Sequence, residues 1–314
     1  MSEIYLADHK IIEIFPNTEA IATAEYINYY MSQSHINLLW ADGLTGAGIK
    51  VGVCDTGVQI DHPMYAGKIV AGKNFTDDGL AEDDISSTDY HGTAVTSLIA
   101  GNYMNYQAYG VAPDAEIVIA KVLKSKDDGT ATGSNSWIVN GINYCVEQGC
   151  DIINLSLGGF YNNASKEEAV RNAVAQGVSV VCASGNFGDA GNPTMYPAAY
   201  DDSISVGSMN NNYNVVDFST YNTFVDIVAP GDNIYAAYTN SEYISASGTS
   251  FSAPLISGTL ALLKQKFIRD FGRKPNEAEL FAMLIKQTRA LPDIDRQHQG
   301  HGYFDASINK TRRI

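Results

Sequence analysis

Residues 116–123 read Glu-Ile-Val-Ile-Ala-Lys-Val-Leu, and residues 178–184 read Val-Ser-Val-Val-Cys-Ala-Ser. Both runs are short, β-branched and almost unbroken in apolar character. A strand with one wet face would alternate, whereas a strand covered on both faces need not. Working outward, Lys50–Asp55, Asp151–Leu157, Ser203–Ser208 and Phe224–Ala229 have the same character. Helical patterns fall between and after them, at Gly92–Gly101, Ser136–Gln148, Lys166–Ala175, Ser250–Phe271 and Asn276–Thr288. Gly149 and Gly177 follow two of these, where a helix stop belongs. This alternation predicts an α/β fold: a doubly wound, mostly parallel sheet with helices on both faces. Functional groups of such a sheet gather at the carboxyl ends of its strands.

The chain has 314 residues, 45% of them hydrophobic, which is enough for a sizeable core. Its 35 acidic and 20 basic residues give a net charge of −15. Such a surface is repelled by phosphate backbones, which argues against nucleic acid or an anionic membrane as partner. No apolar run approaches the ~18 residues of a membrane span. The first ten residues lack a basic stretch followed by an apolar one, so a cytoplasmic protein is expected. Cys54, Cys145, Cys150 and Cys182 form no Cys-x-x-Cys pair and are expected to be free, structural thiols.

Three short motifs carry one residue each of a nucleophilic triad. Val-Cys-Asp-Thr-Gly surrounds Asp55, His-Gly-Thr-Ala-Val starts at His91, and Gly-Thr-Ser-Phe-Ser-Ala-Pro surrounds Ser250. The gaps are 36 and 159 residues. A serine hydroxyl needs a base to remove its proton. Imidazole is the side chain that titrates near neutrality. A carboxylate at the end of an apolar strand is costly unless paired, which fits Asp55 as partner of His91. Alone, Ser250 would be read as a helix N-cap, but the ordered set Asp–His–Ser points to a nucleophile. Ala-Ser-Gly-Asn-Phe-Gly around Asn186 adds a side-chain amide able to bind an oxyanion. The Gly43-Leu-Thr-Gly46-Ala-Gly48 stretch precedes the first strand, whereas a phosphate loop should follow one.

Together these motifs resemble the subtilisin-like serine proteases over roughly residues 34 to 306. The resemblance implies a serine endopeptidase with Asp55, His91, Ser250 and Asn186 as its catalytic groups, acting on peptide or protein substrates. Ser156-Leu157-Gly158 and Gly133-Ser134-Asn135 resemble the two edges that sandwich an extended substrate. Ala183-Ser184-Gly185 resembles one wall of the P1 pocket. Phe187 stands where some relatives carry an acid, and Met195 stands where a glycine often leaves the pocket deep. A shallow apolar pocket and a broad, medium apolar P1 preference are therefore expected.

Departures from the family pattern touch the surroundings. Ala94 replaces a second histidine, Phe251 replaces an oxidisable methionine, and Ser252-Ala253 inverts a common order. No cofactor is needed for catalysis. The aspartate of the family's tight calcium site is absent, with Met64 in its place, so calcium enters only as a structural ion. A weaker cation site resembles Ala198, Tyr200 and Ser203 with Asp226. The acidic run Asp77, Asp78, Glu82, Asp83, Asp84 reads as a solvated loop.

The acidic charge and Gly72-Lys73-Asn74-Phe75-Thr76-Asp77-Asp78 bring the chain nearest to the intracellular subtilisins. Residues 1–33 then read as an N-terminal extension ahead of a catalytic domain at 34–306, with 307–314 as a tail. In that family a proline holds the extension uncleaved across the active site, and Phe15-Pro16 is the candidate here. The resemblance leaves a homodimer open. Two narrower readings remain: a cytosolic leader peptidase of lantibiotic type, and a catalytically silent subtilase serving as a binding module.

Overall fold

The computed structural model describes residues 4–5, 10–15, 29–104, 107–108, 110–126 and 130–308. Its centre is a nine-stranded sheet. In spatial order the strands are Thr288–Arg289, Tyr303–Phe304, Ile227–Pro230, Ser203–Met209, Ser179–Ala183, Ile152–Leu155, Lys50–Asp55, Glu116–Lys121 and Ile69–Asn74. Every neighbouring pair is parallel except the first, Thr288–Arg289 against Tyr303–Phe304. From Lys50–Asp55 the chain first builds one side, then crosses to build the other. The strand carrying Asp55 therefore sits at the switch point, where a crevice opens beyond the carboxyl ends.

The unbroken apolar runs are explained by cover on both faces. In Glu116–Lys121, Ile117 and Ile119 join one buried cluster, while Val118 and Ala120 join the other. Val181 and Val180 divide in the same way. The helices His91–Ala100 and Thr249–Phe271 lie against the first face, and Asn135–Glu147 and Ala164–Ala175 against the second. Boundaries agree with the sequence reading to within a few residues. The main omissions are the edge strand Ile69–Asn74 and the hairpin partner Ile234–Ala237.

All four cysteines are buried and free. The acidic run is not wholly solvated. Asp78 pairs with the buried Lys121 at 2.6 Å and accepts from Asn74, and these bonds hold its carboxyl down at about 2 against the cost of burial. Residues 29–33, at the end of the expected extension, pack against the body. Tyr30 is fully buried in the larger core and its hydroxyl meets that of Thr259.

Among the described residues, the extension contributes two strands. Ile4–Tyr5 runs antiparallel to Ala131–Gly133, with Ile4 opposite Gly133. Lys10–Phe15 runs antiparallel to Tyr243–Ser247. Phe15 lies opposite Tyr243, at the far end of its strand, and Pro16 lies outside the described residues.

Candidate active site

Asp55 is the last residue of its strand and is fully buried. Its Oδ1 accepts from Thr56 N at 2.7 Å and from His91 Nδ1 at 2.8 Å. His91 opens the helix His91–Ala100, and two bonds fix that start: His91 N donates to Asp89 Oδ1 at 2.8 Å, and Gly92 N to Thr56 Oγ1 at 3.1 Å. The helix can come this close because residue 92 has no side chain. A Cβ there would lie 2.0 Å from the Gly57 carbonyl oxygen and 3.2 Å from Asp55 Oδ1.

Burial pulls the His91 imidazole toward neutrality. The charge and hydrogen bond of Asp55, joined by the charge of Asp89, outweigh it and hold the ring above its ordinary value. Asp89, with His91 close by, is pushed up by its own burial.

Ser250 is the second residue of the helix Thr249–Phe271. Its backbone carbonyl accepts from Ser156 Oγ at 2.9 Å, and its Oγ donates to the Ser156 carbonyl at 3.3 Å. A relay stands behind that pair: Ser257 Oγ donates to Asn154 Oδ1, and Asn154 Nδ2 to Ser156 Oγ, each at 2.9 Å. Asn186 is held by Thr249, whose N–H and hydroxyl both donate to Asn186 Oδ1 at 2.8 Å. Because a backbone N–H can only donate, this end of the amide must be the oxygen, and the other end is the NH₂.

The pocket residues read from the sequence come together as two walls. Ser156, Leu157 and Gly158 continue into Gly159, which exchanges backbone bonds with Tyr196 at 2.9 and 2.8 Å. Opposite, Ser184 Oγ donates to the Thr220 carbonyl, Gly185 N to Thr249 Oγ1 and Phe187 N to Thr220 Oγ1, each at 3.2 Å. Met195 is buried between the walls. A Cβ on Gly158 would lie 2.9 Å from its Cε, and one on Gly185 2.7 Å from its Cγ. Gly133 ends the strand that pairs with Ile4, Ser134 caps the next helix through Trp137 N, and Asn135 opens that helix.

A cavity of about 540 Å³ adjoins Asn186, and Lys10 and Ile12 of the extension line it together with Phe218 and Asp232. Of the proposed cation ligands, the Tyr200 carbonyl accepts from Ser203 N at 3.0 Å and Asp226 Oδ2 from Ser205 N at 2.9 Å. Burial pushes the Asp226 carboxyl up to about 6. Among the described residues, no three His, Cys, Asp or Glu side chains cluster to hold a metal.

Thr249, Thr220, Asp89 and Asn154 carry parts of this site that the sequence reading did not assign. Thr249 sits inside the Ser250 motif and Asp89 two residues before His91, so both were within reach of sequence, whereas Thr220 lies in no motif.

A base held by a buried carboxylate, a serine at a helix start and an oriented amide define a serine hydrolase. Residues 46–302 match the subtilase family, Peptidase S8. The chain is 46% identical over 270 residues to the major intracellular serine protease of Bacillus subtilis, covering 85% of this chain and 83% of that one. It is 41% identical over 274 residues to the intracellular serine protease of Paenibacillus polymyxa (86% and 82%), and 38% identical over 218 residues to thermitase of Thermoactinomyces vulgaris (69% and 75%). The chain belongs to the subtilase family and is a serine endopeptidase.

Proposed function

We propose that this endopeptidase works through an acyl-enzyme on Ser250 and is held in check inside the cell by its own N-terminal extension. Ser250 Oγ attacks the scissile carbonyl while His91 Nε2 takes its proton. Asp55, bonded to Nδ1, fixes the ring and stabilises the imidazolium. The tetrahedral oxyanion accepts from Ser250 N–H and Asn186 Nδ2. The proton then passes from His91 to the leaving amine as the C–N bond breaks. Water, deprotonated by His91, releases the acid and restores Ser250.

One observation carries the reading of a peptide substrate and of autoinhibition together. The extension places one strand on Ala131–Gly133 and another on Tyr243–Ser247, which leads into Ser250. An extended chain added to a sheet edge is how a protease groove takes a peptide. The blocking role is assigned to the extension as a whole, with Phe15-Pro16 as its candidate segment. The intracellular setting follows the names of the Bacillus and Paenibacillus relatives. Met195 between two glycines supports a shallow apolar P1 pocket.

The test follows the intact mass of freshly purified protein beside Ser250→Ala, with fluorophosphonate labelling of both. The wild type should label and shed an N-terminal piece, and the mutant should do neither. A folded protein that has lost its N-terminal piece, by itself or by added protease, and still refuses the label would refute the acyl-enzyme reading. Labelling at full rate with the extension intact would refute autoinhibition.

A further inference from the structure

The two walls of the P1 pocket each end in a phenylalanine. One runs Ser156-Leu157-Gly158-Gly159 into Phe160; the other runs Ala183-Ser184-Gly185-Asn186 into Phe187. The two rings meet edge to face, with centroids 5.2 Å apart and planes at 67°. Neither ring is carried by a loose segment. The backbone before Phe160 is clamped by the paired bonds between Gly159 and Tyr196, and Phe187 N is held by Thr220 Oγ1. Phe160 is nonetheless 39% exposed. An aromatic side chain that stays at the surface while bridging two substrate-facing walls contributes little to the core. Its ring meets Phe187 on one side and solvent on the other.

We propose that Phe160 is a specificity-determining residue, which with Phe187 closes the outer side of the P1 slot and so admits medium aliphatic side chains while excluding aromatic ones. The inference rests on the apolar P1 reading above and narrows its substrate class to peptides with Leu or Met before the scissile bond. Met195 bounds the slot from within and the ring pair bounds it from without. A leucine or methionine fits between them and packs on both. A tyrosine or phenylalanine must part the rings and forfeit their contact. An edge-to-face pair is worth enough to cost about 2- to 12-fold in kcat/KM when broken.

The experiment compares kcat/KM of the full chain on peptides that differ only at P1: Leu, Met, Phe, Tyr, Lys and Glu. Ratios between substrates are independent of how much enzyme the extension keeps blocked. The wild type should prefer Leu and Met. Phe160→Ala should raise the Phe:Leu ratio about 5-fold or more, chiefly through the Phe substrate, while Phe160→Tyr keeps the wild-type ratio. A wild-type optimum at Lys or Glu would overturn the apolar pocket itself. An apolar optimum whose Phe:Leu ratio ignores Phe160→Ala would overturn the role of Phe160 alone.

Discussion

Replacing Gly92 with alanine is the sharpest probe of how this fold builds its catalytic base. The new Cβ would stand 2.0 Å from the Gly57 carbonyl oxygen, whereas ordinary contact begins at 3.4 Å, so something must move by about 1.4 Å (3.4 − 2.0). Neither side yields easily. Gly57 follows the strand that ends in Asp55, and Gly92 N is bonded to Thr56 Oγ1 on that same turn. The helix start must retreat and take His91 with it, stretching its 2.8 Å bond to Asp55. Overpacking of this kind costs about 1–3 kcal/mol. At about 2–4 °C per kcal/mol, the melting midpoint should fall by several degrees. A misplacement near 1 Å costs on the order of 10²-fold in rate. Peptide turnover should therefore drop roughly 100-fold in a protein that still melts cooperatively, with the fluorophosphonate rate falling alongside. Wild-type turnover at an unchanged melting midpoint would mean that the close approach of the His91 helix is not what aligns the base.

Three further outcomes are expected. Asn186→Ala should lower kcat by ~10²–10³ with KM little changed, a scale that comes from subtilisin itself. It should also destabilise the fold by about 1–3 kcal/mol, because the buried Thr249 donors lose their acceptor; an equal loss in KM would assign Asn186 to ground-state binding instead. Asp89→Asn should move the acid limb of kcat/KM to lower pH, since Asp89 is one of the two charges holding His91 above its ordinary value and the neutral ring is the working base; a pH–rate profile that stays put refutes this. Asp226 has its folded value raised to about 6 from 3.8. Its contribution to stability is thus full below pH 3.8 and lost as pH rises to 6, a cost of about 3 kcal/mol at pH 8 that a bound cation would offset. Calcium or potassium should raise the melting midpoint of the wild type at pH 8 and leave Asp226→Asn unmoved, and an equal rise in both would place the ion elsewhere.

The parts of this molecule that were legible in sequence are those fixed by local pattern. Lys50–Asp55 keeps its bounds because burial dictates every residue after the half-exposed Lys50. Asp55, His91 and Ser250 were readable because each sits in a motif whose glycines and hydroxyls set the local turn. What the motifs left out is fixed at long range. The orientation of Asn186 depends on Thr249, 63 residues on, and the wall at Phe187 depends on Thr220. Phe160 acquires its meaning only from a ring 27 residues away that the fold brings beside it.

The extension shows the same limit from the other side. Ile11, Ile12 and Ile14 look like a face in search of a core, yet each is more than 40% exposed, while the unremarked Ile4 is buried. Lys10–Phe15 stays in place through backbone pairing with Tyr243–Ser247, over a register interrupted between Ser245 and Ala246. A main-chain ladder is indifferent to most side chains, so it leaves little trace in hydrophobic periodicity. The same indifference lets a broad-specificity endopeptidase accept many peptides. A groove that binds backbone first can be filled by any extended segment, and one tethered to the same chain arrives at high effective concentration without needing a tight sequence match.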